Sequence, residues 1–167
     1  PAVGRALFQA ADARGIGVLE APAGGGVPEA RAGKLQLFVG GDAGLVERHR
    51  PLLEVLADPQ RIAHVGGHGA GYLAKLLVNL LWFGQAIATA EALLLARRAG
   101  LDLDVLRQAL LDSAASSAFI RDSLSALLAG DYMTGFGLDR CCEELETVTA
   151  LGREHDADET EGAVGGV

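Results

Sequence analysis

The sequence predicts an α/β segment followed by an all-helical one, with the boundary between Gly66 and Gly71. Three observations carry this. Short apolar runs of strand character alternate with helical segments up to Val65, the pattern of a parallel α/β sheet. From Tyr72 to Ala99 there is then no proline and only one glycine, Gly84, while Leu73, Leu76, Leu77, Leu80, Ile87 and Leu94 recur at helical spacing. Beyond Gly100 every segment up to Arg153 has helical character.

Taken in order, Ala2 to Arg14 reads as a short helix closed by Gly15, and Ile16 to Glu20 as a strand. Ala21-Pro22-Ala23-Gly24-Gly25-Gly26 is too rich in glycine and proline for a regular element. Lys34 to Val39 alternates as a strand does and ends at Gly40-Gly41. Asp42 is a good N-cap for a helix reaching about Ala57, and Arg61 to Val65 is a third strand candidate. The long helix from Tyr72 is apolar nearly all round, which marks either a core helix or a membrane span. Asn79, Gln85, Thr89 and Glu91 interrupt it, and a mid-helix charge costs roughly 2.5–3.5 kcal/mol on insertion scales, so burial by other helices is the stronger reading. Gly100 stops this helix. Asp102 caps the next, to about Ser113, and further helices cover Ser117 to Ala129 and Leu138 to Arg153. The acidic, then glycine-rich tail from His155 to Val167 reads as disordered.

Half of the 167 residues are apolar and 22% are charged, enough for a packed core. A formal net charge of -8 argues against a non-specific nucleic-acid binder, which needs a basic face to displace counterions from phosphates. Cys141 and Cys142 are adjacent and build no disulfide framework, so a cytoplasmic protein is expected; no export signal opens the chain. His49, His64, His68 and His155 form no His-Cys cluster, and no metal site is expected.

The glycine cluster Gly66-Gly67-His68-Gly69-Ala70-Gly71 lies between a strand and a helix. No third glycine completes a G-x-G-x-x-G pattern from Gly69, and the acidic residue at the right distance, Glu91, sits inside a helix. A junction that lets two backbones approach closely is the stronger reading. Lys75 and Asn79 are four apart, on one helix face, one turn inside the N-terminal end and within an apolar stretch. Burial and the positive end of the helix dipole both favour a neutral lysine, and so bring it toward the range useful for proton transfer. Asn79 offers a donor and an acceptor to orient a substrate. From spacing alone, a snorkelling lysine beside a backbone-bonded asparagine is the more ordinary alternative. Gly24 to Gly26 could present backbone N–H groups to an anion, or be a plain surface loop.

Three stretches together resemble a known family, the β-hydroxyacid dehydrogenases, which include 3-hydroxyisobutyrate dehydrogenase, tartronate semialdehyde reductase and, more distantly, 6-phosphogluconate dehydrogenase. Glu20 to Val27 with Gly33 to Gly41 is similar to the family's D-A-P-V-S-G-G-V segment and the strand after it. His64-Val65-Gly66 through Gly69, Gly71, Lys75 and Asn79 matches H-V-G-x-x-G-x-G-x-x-x-K-x-x-N-N. Phe136 to Leu145 stands where the family has F-x-L-x-L-x-x-K-D-L.

The resemblance implies a Rossmann-type domain over residues 1–67, lacking its Gly-rich dinucleotide unit, which would precede Pro1. A helical domain of the 6-phosphogluconate dehydrogenase kind follows over 68–154, beginning with a long interdomain helix, and 155–167 is the tail. It implies an NAD(P)-dependent oxidoreductase interconverting a small β-hydroxyacid and its semialdehyde or keto acid, with NAD or NADP as cofactor; the charge and the polar residues of the long helix add the expectation of no nucleic-acid and no membrane partner. Lys75 is then the catalytic residue, Asn79, Gly24 and Gly25 bind substrate, and Phe136 and Glu143 lie near the cofactor. A homodimer through the long helix is implied as well. Three residues depart from the pattern: Gly24 replaces serine, Val78 the first asparagine, and Glu143 the lysine of K-D-L, where a carboxylate repels a nucleotide. Lacking the Gly-rich unit, this chain alone is expected to be inactive; a non-catalytic helical dimerisation module, its site decayed through Gly24, Val78 and Glu143, is the competing reading.

Overall fold

A computed structural model describes residues 2–131 and 137–154 of the chain. Eleven elements are present among them: α1 (Ala2–Asp12), β1 (Leu19–Glu20), β2 (Ala23–Gly24), α2 (Val27–Arg31), β3 (Leu35–Gly41), α3 (Ala43–Leu56), β4 (Ala57–Gly66), α4 (Ala70–Arg98), α5 (Leu103–Leu111), α6 (Ala118–Leu128) and α7 (Leu138–Glu154). They form two compact units, Pro1–Val78 and Asn79–Val167, so the division falls inside α4. The tail expected over 155–167 lies outside the described residues.

The first unit is built on β3. β4 pairs with it in parallel, Leu37 opposite Ile62 and Val39 opposite His64. β1 and β2 pair with it antiparallel, Glu20 opposite Gly40 and Gly24 opposite Gln36. These two pairings share one register, so β1 and β2 are two stretches of a single strand, joined through Pro22, whose carbonyl accepts from the Phe38 N–H at 3.1 Å. The all-parallel sheet expected from the sequence is thus a mixed one. β2 falls in the segment Ala21 to Gly26 that was expected to be irregular, and α2 follows in residues for which no element was expected. Their order comes from β3, which supplies the partner for Ala23 and Gly24, and from Pro28 in the first turn of α2.

Buried Leu37, Val39, Val46, Leu53 and Ala57 form the core of this unit. Val46 and Leu53 are seven residues apart on α3 and so share its inner face. The Asp42 cap is as expected, its carboxylate accepting from the Leu45 N–H at 2.9 Å. In the second unit Leu93, Phe119, Ile120 and Leu124 are the buried centre, with Trp82, Leu103, Leu106 and Leu110 around them. Trp82 meets Phe119 edge to face, ring centroids 5.5 Å apart. Asp102 and Ser117 cap α5 and α6 with their side chains. Gly100, at φ 78°, ends α4 in the left-handed conformation that a residue with a Cβ avoids.

Much of α4 is left uncovered. Leu77, Leu81, Ile87, Leu94 and Leu95 are all exposed, Leu95 at 69%. Among the described residues α4 is one helix long and apolar enough to cross a membrane by length and composition.

Candidate functional site

The residues singled out in the sequence fall on both units. In the first, β4 ends at Gly66, a turn covers 67–69, and α4 starts at Ala70. The second residue of the helix, Gly71, is buried with its N–H donated to Glu20 Oε1 at 2.8 Å. A Cβ on Gly71 would stand 2.5 Å from the Phe38 carbonyl oxygen and 3.1 Å from the Gly40 nitrogen. Glycine is required here for close approach, as the junction reading expected. Lys75, half-buried, is one turn further along.

The same geometry counts against a phosphate site at the Gly71 amide. A phosphate at a helix N-terminus uses the free N–H groups of the first turn. Here the Gly71 amide is given to a buried carboxylate, and a second anion beside it would be repelled. His64 and His68, although four residues apart, are not a helical pair. His64 Nε2 lies 3.0 Å from the Gly41 carbonyl, which can only accept, so that nitrogen carries the proton. His68 stacks on Phe8 with ring centroids 3.4 Å apart. Among the described residues no cluster of three or more His, Cys, Asp or Glu side chains could hold a metal.

The glycine loop is anchored on the same strand residue as the helix. Gly24 is buried, and a Cβ on it would contact the Phe38 ring at 3.5 Å. Gly25 is exposed at φ 109°, a left-handed conformation. The Gly26 N–H donates to Glu29 Oε2 at 2.8 Å, and this bond holds the Glu29 carboxyl below the usual range. Of the three glycines, Gly25 is therefore the one whose amide is neither in the sheet pairing nor given to Glu29.

In the second unit Asn79 Nδ2 donates to Glu144 Oε2, joining α4 to α7. Glu144 was passed over in the sequence, although it occupies the acidic position of the K-D-L motif; Glu143 beside it is exposed. Phe136 lies outside the described residues. Cys141 is buried, which pushes its thiol above the usual range, and Cys142 is exposed; both are free.

Comparison with known proteins shows the family of the chain. The family described as the NAD-binding domain of NADP-dependent 3-hydroxyisobutyrate dehydrogenase matches residues 69–165, and the NAD-binding domain of 6-phosphogluconate dehydrogenase matches residues 1–67. A 3-hydroxyisobutyrate dehydrogenase of Pseudomonas aeruginosa is 43% identical over 113 residues, 68% of this chain and 37% of that protein. A 2-hydroxy-3-oxopropionate reductase of Escherichia coli is 37% identical over 118 residues, 71% of this chain and 40% of that protein. The chain thus spans well under two thirds of the length of these relatives. Among solved structures, 3-hydroxyisobutyrate dehydrogenase of Mycobacterium tuberculosis, determined with L-serine, aligns at a TM-score of 0.82 and 29% identity. That alignment covers 93% of this chain and 55% of that one. The chain belongs to the β-hydroxyacid dehydrogenase family.

Proposed function

We propose that the full-length protein is an NAD(P)-dependent oxidoreductase that interconverts a small β-hydroxyacid and its semialdehyde or keto acid. The observation that carries this is a half-buried Lys75 one turn inside a helix whose start is locked onto β3, in a chain whose relatives are dehydrogenases and reductases of such acids. Those relatives favour the enzymatic reading over a decayed dimerisation module.

NAD or NADP, supported by both matched NAD-binding families, supplies the hydride chemistry when bound. Its phosphates do not fit the glycine cluster before α4, because Glu20 already fills that helix end. Lys75 protonates the carbonyl oxygen in reduction and takes the hydroxyl proton in oxidation. Asn79 orients the substrate, itself steadied by Glu144. Gly25 gives its N–H to the substrate carboxylate, and Gly24, held in the sheet, sets the turn. Glu143, exposed and acidic, is poorly suited to a phosphate. Nicotinamide absorbance, followed with 3-hydroxyisobutyrate, serine and tartronate semialdehyde, tests the proposal in the full-length protein. Turnover of at least one, at a kcat of about 1 per second or more, is expected; none with either cofactor would return the module reading.

The same proposal places the enzyme in the cytoplasm as a homodimer. Its free cysteines suit a reducing compartment. Leu77, Leu81, Ile87, Leu94 and Leu95 on α4 form an apolar face beyond what single exposed side chains require, and a second copy would cover it. Exposed Glu91 and half-buried Lys75 and Gln85 on the same helix disfavour lipid as the cover. Light scattering of the full-length protein over a dilution series is expected to give twice the chain mass. A monodisperse monomer at high concentration would refute the dimer.

A further inference from the structure

Glu20 has no part in the proton transfer described above, yet it is among the most enclosed charged residues, only 6% exposed. Its carboxylate reaches the amide of a residue 51 positions later, at the start of α4. The first N–H groups of a helix have no partner within it, and the helix dipole favours a negative group there. Such ends are ordinarily capped by a neighbouring Ser, Thr, Asp or Asn. Here the cap comes instead from a strand.

Two glycines make room for it. A side chain on Gly40, opposite Glu20 in the sheet, would collide with the Glu20 carboxyl. One on Gly71 would strike the Phe38 carbonyl and come within 3.2 Å of Glu20 Cγ. The helix start is thus seated on β3 by backbone contact and fastened by one charge-assisted bond. Lys75 is four residues beyond Gly71, on the same face and about 6 Å along the axis. Helical Cα–Cβ bonds tilt toward the N-terminus, so the Lys75 side chain leaves the backbone on the side of that first turn.

We propose that Glu20 is a positioning residue: by holding the Gly71 amide it fixes the first turn of α4 on β3, and through that turn the place of the Lys75 amine. This rests on the reading of Lys75 as the proton-transfer group. A displacement of about 1 Å at a reacting group can cost on the order of 100-fold in rate, so an anchor one turn away governs catalysis without touching substrate.

The test uses the full-length enzyme with Glu20→Ala, Glu20→Gln, Lys75→Ala and the Glu20→Ala/Lys75→Ala double variant. Glu20→Ala, assayed as folded protein, is expected to lower kcat by about 10- to 100-fold with KM for the hydroxyacid nearly unchanged. Glu20→Gln keeps an oxygen acceptor for the amide and is expected to recover most of that loss. In the Lys75→Ala background, Glu20→Ala is expected to add almost nothing, because the two residues act through one group. Wild-type kcat in Glu20→Ala, or the same fractional loss with and without Lys75, overturns the proposal. Should Glu20→Ala not fold, Glu20→Asp, one methylene shorter, replaces it with the same two readings. Near-normal activity of Lys75→Ala overturns the proton-transfer reading instead, whatever Glu20 does.

Discussion

Replacing Lys75 with alanine in the full-length protein is expected to cut kcat by about 10²–10⁴-fold, the range over which positioned general acids and bases contribute. The fold should survive. Lys75 is half-buried and belongs to neither of the two apolar core clusters, and alanine is the better helix former. KM for the hydroxyacid should move less than kcat, because the proton is transferred in the transition state and the ground-state contacts remain. Lys75→Arg is expected to be nearly as poor, since a guanidinium does not release its proton in this pH range. Steady-state kinetics with circular dichroism on the same samples decide this. A well-folded Lys75→Ala enzyme within a factor of about three of wild type would be incompatible with the assignment.

The largest effect on stability is expected at Phe119. Its side chain is 1% exposed, belongs to the buried cluster of the second unit and meets Trp82 edge to face. Phe119→Ala should destabilise the protein by about 3–5 kcal/mol, the lost transfer free energy plus the cavity left under Trp82. Phe119→Leu, which refills most of the volume, should cost considerably less. Urea titration of both variants, followed by Trp82 fluorescence, gives the two numbers. A loss below about 1 kcal/mol for Phe119→Ala would show that Trp82 collapses into the space and that the core is looser than its burial indicates.

Helices with local signals were readable from the sequence. Asp42, Asp102 and the glycines at 15, 100 and 130 act within one turn of their own position, so the residues carry the information unaided. That Lys75 and Asn79 share one helix face was legible for the same reason: a spacing of four needs no tertiary knowledge. β2 and α2 were not, because Ala23-Gly24 is ordered by β3 rather than by any propensity of its own. Glu20 looked like the end of a strand, and its bond to Gly71 depends on a sheet register and a helix start that arise 20 and 51 residues later. Between Glu143 and Glu144 the sequence offers two adjacent carboxylates. Only the rotation of α7 shows that Glu144 turns to Asn79 while Glu143 is exposed.

The division inside α4 bears on how such a protein can be recombined. By sequence family the helical part begins at residue 69, yet residues 70–78 are structurally part of the sheet-bearing unit, seated on β3 by Gly71 and Glu20. A crossover placed in the glycine cluster would import a foreign first turn onto the resident strand, and the new lysine would inherit a seat shaped for another helix. A crossover between Val78 and Asn79 leaves that seat and its lysine with their own parent, while the donor brings its asparagine together with the matching acid on α7. The natural seam for recombining relatives therefore runs through the middle of a helix, a place where modular design would not ordinarily cut.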